Sequence, residues 1–233
     1  MKKIAIFSDI HGNLEALESI LKDIDEKNID EIICLGDIIG FGPSPKECLD
    51  RIIHSRVKMV KGNHEIYQFN TSYNNLTDNE LKHVEWIKRE LSEEELNYIE
   101  NIPMTIQELI NGKLYIFSHF FFNEERTYFQ SLNILSDNRI YDTIKELETD
   151  YMFIGHSHDA FQINNQGLYT CVGSSGCTKN NITFYTLLEI EDKNTKITKI
   201  MLEYDRKTFE KKLKNSDYPD VDKIKEERFG VRS

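Results

Sequence analysis

Five of the seven histidines stand in short motifs with other nitrogen and oxygen donors: Asp9-x-His11, Gly62-Asn63-His64-Glu65, Ser118-His119 and Gly155-His156-Ser157-His158, to which Gly36-Asp37 adds a carboxylate. Residues two apart in a strand-to-loop turn can point to one side, so Asp9 with His11, and His156 with His158, can each bring two donors to one locus. Four histidines, two aspartates and one asparagine (Asp9, His11, Asp37, Asn63, His119, His156, His158) form a mixed N/O set. It suits Mn, Fe, Zn, Co or Ni better than Mg or Ca, and needs no thiolate. A carboxylate can bridge two cations, and a pair ~3.5–4 Å apart would bind a phosphoryl group and generate hydroxide at neutral pH. Asp37, in the middle of the order, is the bridging candidate. Taken singly, D-x-H is more often a turn former; the weight comes from all five motifs in one chain. His54 and His83 lack such neighbours and read as helix-surface residues.

The elements that must position these donors are legible in the periodicity. Ile4 to Ser8 reads as a buried strand and Asn13 to Asn28 as a helix, since Leu14, Leu17, Ile20, Leu21 and Ile24 recur on one face. Glu31 to Leu35 and Val57 to Val60 are further strands. Between them Ser44-Pro45-Lys46-Glu47 offers a capping box, with Pro at the first helical position, for a helix to about Ser55. This alternation predicts parallel strands with crossover helices, whose ligands gather at the carboxyl ends of the strands, where Asp9, Asp37 and Asn63 fall. Thr77 to Glu80 and Ser92 to Glu95 are two more capping boxes, opening the helices of an insert over about 66–103. Lys113 to Ser118 and Asp150 to Ile154 read as strands with a helix near Asn138 to Glu148 between them. Phe161 to Asn164, Leu168 to Val172, Ile182 to Glu191 and Lys196 to Tyr204 alternate like antiparallel strands, predicting a mixed second sheet. The tail, about 205–233, is charged, helical near Lys207 to Lys214, and expected to fray after Pro219.

With 39% hydrophobic and 30% charged residues in 233, the chain suits one globular α/β domain over 1–233. Lys2 and Lys3 before Ile4 to Phe7 imitate a signal peptide, but Ser8 and Asp9 end the apolar run too early. No stretch is apolar over a membrane-spanning length. The four cysteines lack zinc spacing and read as reduced thiols, predicting a cytoplasmic protein. A net charge of -11 disfavours an extended nucleic-acid partner, so bound metal would have to attract a phosphate substrate.

In order and spacing these motifs resemble the calcineurin-like metallophosphoesterase superfamily over nearly the whole chain. "GDIIGFGPSPKECLDRI" and "WIKRELSEEELNYIENIP" are similar to its bacterial and archaeal subgroup of diadenosine-tetraphosphatase-related phosphoesterases. The resemblance implies a four-layer α/β/β/α sandwich of two mixed sheets with a small helical insert. It implies one cation on Asp9, His11, Asp37 and His158, and a second on Asp37, Asn63, His119 and His156, with a bridging hydroxide attacking phosphorus in line. His64 would stay unligated as transition-state stabiliser or as acid to the leaving oxygen, with Glu65 positioning its loop. Two departures touch the leaving-group pocket: Phe120-Phe121-Phe122 follow His119 where the family has Gly, and Cys171-Val172-Gly173-Ser174 replaces Asn-Pro-Gly-Ser.

The expected function is metal-dependent hydrolysis of a small phosphodiester or phosphoanhydride, such as a dinucleoside polyphosphate or cyclic nucleotide. The expected cofactors are two divalent transition-metal ions, Mn or Fe first, with Zn, Ni or Co also suited. Rival readings are a phosphomonoesterase or protein phosphatase, a nuclease, and a binding scaffold like the retromer subunit of this fold, against which the intact ligand set argues. Phe41, Tyr67 and Phe120 to Phe122 could stack on a base, although aromatics near strands are more often core. Lys61 and Lys179 are weaker candidates for phosphate contact, and Lys58 reads as solvated.

Overall fold

The computed structural model describes residues 1–70, 76–121, 149–164, 167–192 and 194–231. The first sheet begins with the alternation read above: β1 (Lys2–Phe7), α1 (Leu14–Glu26), β2 (Glu31–Cys34), α2 (Pro45–Ile53) and β3 (Val57–Met59). The strands pair in parallel, with Ile6 opposite Ile33 and Cys34 opposite Met59. Asn13 caps α1 by accepting the Ala16 N–H, and α1 lays Ala16, Leu17, Ile20, Leu21 and Ile24 on the sheet. Burial of each large aliphatic side chain is worth roughly 2 kcal/mol. Pro45 opens α2 as expected, but Ser44 makes no side-chain cap. Its ψ of 52° is far from the extended backbone of Thr77 (161°) and Ser92 (165°), whose capping boxes are complete.

Three helices follow, α3 (Asn63–Tyr67), α4 (Asp78–Glu90) and α5 (Glu93–Asn101), then the second-sheet strands β4 (Thr105–Ile110), β5 (Lys113–Ser118), β6 (Tyr151–Ile154), β7 (Phe161–Asn164) and β8 (Leu168–Cys171). β9 (Ile182–Glu191) and β10 (Asn194–Glu203) form a hairpin, and α6 (Arg206–Lys214) and α7 (Val221–Glu227) close the chain. The sheets are both mixed and five-stranded, in the orders β10-β9-β1-β2-β3 and β4-β5-β6-β8-β7. The antiparallel final third is therefore shared: β7 and β8 join the second sheet, whereas β9 pairs β1 and extends the first.

One apolar cluster lies between the helices and the first sheet, a second between the two sheets (Ile6, Ile33 and Val60 against Phe117 and Phe153), and a third on the outer face of the second sheet. The helix expected near Asn138 to Glu148, and Phe122, lie outside the described residues. No helix of the described residues is long and apolar enough to cross a membrane. The tail corrects its expectation of fraying: α7 follows Pro219, Phe229 is fully buried and Val231 nearly so, because both complete the helix-side core. His83 corrects its surface reading in the same way, buried on α4 with its ring 4.9 Å from that of Tyr218.

Candidate metal centre

The donors sit where β1, β2, β3, β5 and β6 run out, so both sheets deliver them to one seam. The backbone there is unusual. Asp9, His11, Asp37, His156 and His158 all have φ between +49° and +67°, the left-handed region that L-residues avoid. The turns also pass each other closely: a Cβ on Gly155 would lie 2.0 Å from Ser8 Oγ, and one on Gly62 2.2 Å from Asp37 Oδ1.

Two groups of atoms converge. In the first, His11 Nε2 lies 3.0 Å from His158 Nε2, and these nitrogens stand 3.7 and 3.5 Å from Asp9 Oδ1. In the second, His119 Nε2 and His156 Nδ1 approach to 3.1 Å and stand 2.9 and 2.8 Å from Asn63 Oδ1. Asp37 Oδ2 belongs to both, 3.8 Å from His11 Nε2 and 3.4 Å from His119 Nε2. Its other oxygen accepts the His64 N–H at 2.9 Å. The far ring nitrogens face carbonyls: His119 Nδ1 is 2.7 Å from Leu35 O and His11 Nδ1 3.3 Å from Ile39 O. Those carbonyls can accept an Nδ1 proton, which leaves Nε2 as the atom turned inward, where a bound cation would displace any proton it carries. All seven sequence-derived candidates are thus brought together.

The electrostatics favour a cation. Burial opposes ionisation of Asp37, yet His119, His64 and His11 hold it well below the usual carboxylate range. Burial likewise opposes Asp9, but His11 and the charges of His119 and His158 bring it to about 2. Burial would lower His119, and Asp37 overrides it to about 9. Burial leads in holding His156 and His158 at about 4. Two buried carboxylates thus stand among these imidazoles, and Asp9 Oδ1 makes no hydrogen bond among the described residues. A buried donor set of this kind fits divalent cations.

His64 is half-buried at the mouth, its ring 4.7 Å from Phe41 and 5.6 Å from Tyr67, and burial drops its pKa to about 3. Glu65 ties the loops together. Its Oε2 accepts the N–H groups of Asp37 and Gly62 at 2.8 Å each, and its Oε1 those of Ile38 at 3.0 and Ile39 at 3.3 Å. Burial and the Asp37 charge push it up to about 7, against the pull of those amides.

Cys177 is the residue that sequence spacing gave no reason to expect: it lies with His11 and His158. Burial pushes its thiol far up, so it stands as a neutral neighbour. Two expectations are corrected. Phe120 and Phe121 are 0% and 1% exposed and pack with Ile66 and Met152, so neither can stack on a base. Lys61 turns away from the site and donates to Glu100 O at 2.9 Å, in competition with any phosphate. Lys58 pairs instead with Glu31 and Glu108, and Lys179 is exposed. The departure at Cys171 to Ser174 lies behind the donors: Ser174 Oγ donates to Asp9 O at 2.8 Å and Ser175 N to Ser8 O at 2.9 Å, bracing the β1 end.

Residues 1–193 match the model of the calcineurin-like phosphoesterase superfamily domain. The chain belongs to that superfamily. A calcineurin-like phosphoesterase domain implies divalent metal ions, and the structure offers candidate His/Asp groups for them. An uncharacterized protein of Methanocaldococcus jannaschii is 31% identical over 91% of this chain and 92% of its own length. Among solved structures, a hypothetical protein from Pyrococcus horikoshii OT3 superposes with a TM-score of 0.77 at 20% identity, covering 100% of both chains. A metallophosphoesterase from Sphaerobacter thermophilus superposes at 0.72 with 22% identity, over 95% of this chain and 98% of that one. These two likenesses show the phosphoesterase fold.

Proposed function

We propose that the chain is a two-metal hydrolase of phosphodiester or phosphoanhydride bonds. Asp9, His11, Asp37 and His158 would hold one ion, and Asp37, Asn63, His119 and His156 the other. The observation that carries the reading is Asp37 Oδ2, which lies within 4 Å of a ring nitrogen of each donor group, His11 Nε2 and His119 Nε2. Mn or Fe are the first choices, with Zn, Ni and Co also suited to the set. The ions, when bound, would act as Lewis acids on the phosphoryl group and supply a nucleophile from water at neutral pH.

The protein's own residues would do the rest. Glu65 and the Leu35 and Ile39 carbonyls orient the ligands before substrate arrives, so little reorganisation accompanies the reaction. His64, a neutral imidazole at pH 7, is placed to donate an N–H to a substrate oxygen from the open side. Phe41 and Tyr67 flank it, and Tyr67 is the ring we would place beside a substrate group such as a nucleoside. A small-molecule substrate is the reading we favour, with a dinucleoside polyphosphate or a cyclic nucleotide as the preferred class.

The test is Mn-dependent hydrolysis of bis(p-nitrophenyl) phosphate, p-nitrophenyl phosphate and diadenosine tetraphosphate by wild type and Asp37→Ala. Turnover of the diester or the anhydride above the monoester, abolished in the variant together with Mn retention, supports the proposal. Retained turnover in Asp37→Ala, or preference for the monoester, overturns it.

A further inference from the structure

The superfamily model ends at residue 193, yet the residues after it return to the site. Phe229 packs on Phe209 with ring centroids 4.8 Å apart, and Gly230 and Val231 donate back to Glu226 O and Lys225 O of α7. Arg206 clamps this end. Its Nη2 donates to Phe229 O at 2.7 Å, and its Nη1 to Asn180 O at 2.6 and Thr178 O at 3.1 Å, in the loop that follows the bracing turn. The segment is therefore pinned on both sides of one residue, Arg228.

The Arg228 side chain is exposed, and its Cζ lies 4.6 Å from the centre of the Phe41 ring. That ring is in turn 4.6 Å from His11 and 4.7 Å from His64, which leaves the guanidinium one aromatic ring away from the donors. Its charge is felt at His158 and Cys177. Among the described residues no carboxylate or carbonyl pairs with it. In a chain of net charge -11, this arginine beside the candidate metal centre keeps its donors open to a ligand arriving from solvent.

We propose that Arg228 binds a second anionic phosphate of the substrate, next to the one hydrolysed, so that the site selects phosphoanhydrides and other substrates with more than one phosphate. The inference rests on the phosphoesterase reading above. Stacking occupies the face of a guanidinium and leaves its edge free, and that edge matches two phosphate oxygens at once. A lysine offers the charge without the fork or the stack. The residue lies beyond residues 1–193, the stretch the superfamily model matches.

The experiment compares wild type, Arg228→Ala and Arg228→Lys for Mn-dependent hydrolysis of bis(p-nitrophenyl) phosphate, which has one phosphate, and diadenosine tetraphosphate, which has four. Calorimetric titration of diadenosine tetraphosphate, with and without Mn, reads binding separately. In Arg228→Ala the KM and Kd for diadenosine tetraphosphate should rise about tenfold more than the KM for the diester, the scale of a lost charge-assisted bond, with Arg228→Lys between. Equal effects on both compounds, an effect on kcat alone, or unchanged Kd in both variants overturns the proposal. Absence of turnover by wild type would instead fault the phosphoesterase reading, and the calorimetric comparison would still decide the role of Arg228.

Discussion

Glu65 offers the sharpest test of how the site is assembled, because one side chain satisfies four backbone amides of two loops. Removing it in Glu65→Ala strands all four in a buried place where water replaces a partner poorly. Each buried donor left unsatisfied is worth about 1–3 kcal/mol. The carboxylate already suffers from burial beside Asp37, which offsets part of that sum and leaves a destabilisation of roughly 4 kcal/mol, a large share of a typical 5–15 kcal/mol domain. Glu65→Gln is subtler. One amide oxygen keeps either the Asp37 and Gly62 pair or the Ile38 and Ile39 pair, while the NH2 group faces the other, so about half the loss is expected. Urea unfolding in the presence of chelator reads stability without metal. Mn titration of the folded protein then reads the consequence for Asp37, with affinity falling about 10–100-fold in Glu65→Gln. A Glu65→Ala protein within 1 kcal/mol of wild type that still binds two Mn ions with unchanged affinity would refute this account.

Two further outcomes follow from groups away from the donors. Glu108 is opposed by burial but paired with Lys2 and Lys58 at 2.9 Å each, and its pKa falls from 4.5 to about 2. Its stabilisation is present above the unfolded value of 4.5 and disappears as pH falls through about 2, so Glu108→Gln should flatten the acid limb of a Tm-against-pH profile between those values. An unchanged limb would remove Glu108 from acid unfolding. Phe121→Ala should destabilise by about 3–5 kcal/mol in urea, by opening a cavity on the outer face of the second sheet. Its KM for diadenosine tetraphosphate should stay within about twofold, and a selective rise there would reinstate the ring as a substrate contact.

Donor residues and their strands were legible because both signals are local. Asp9-x-His11 and Gly155-His156-Ser157-His158 carry donors and turn former together, and β1 and β2 each contain an unbroken apolar run, Ile4 to Phe7 and Ile32 to Cys34. β4 escaped notice because its half-buried face sets Glu108 between Ile106 and Ile110, while Leu109, 75% exposed, points the other way. That pattern makes sense only once Lys2 and Lys58 arrive from the other sheet. The tail was misjudged for a similar reason: a charged segment ending in Phe229 and Val231 looks unattached until Phe209 is folded beneath it. Phe120 and Lys61 show that adjacency to a motif does not settle direction. One points into the core and the other toward α5, choices set by neighbours distant in sequence.

The five left-handed residues at the donor turns have an evolutionary reading. Glycine would occupy each of those conformations with less strain, and an ordinary L-residue there costs about 1 kcal/mol, somewhat less for Asp and His, which tolerate the region better. Stability selection alone would therefore erode Asp9, His11, Asp37, His156 and His158 toward Gly or Asn. Their joint presence in one chain is a backbone cost that only a use for the side chains would offset. A descendant released from that demand is expected to lose them early, and to melt at a higher temperature once its backbone has relaxed.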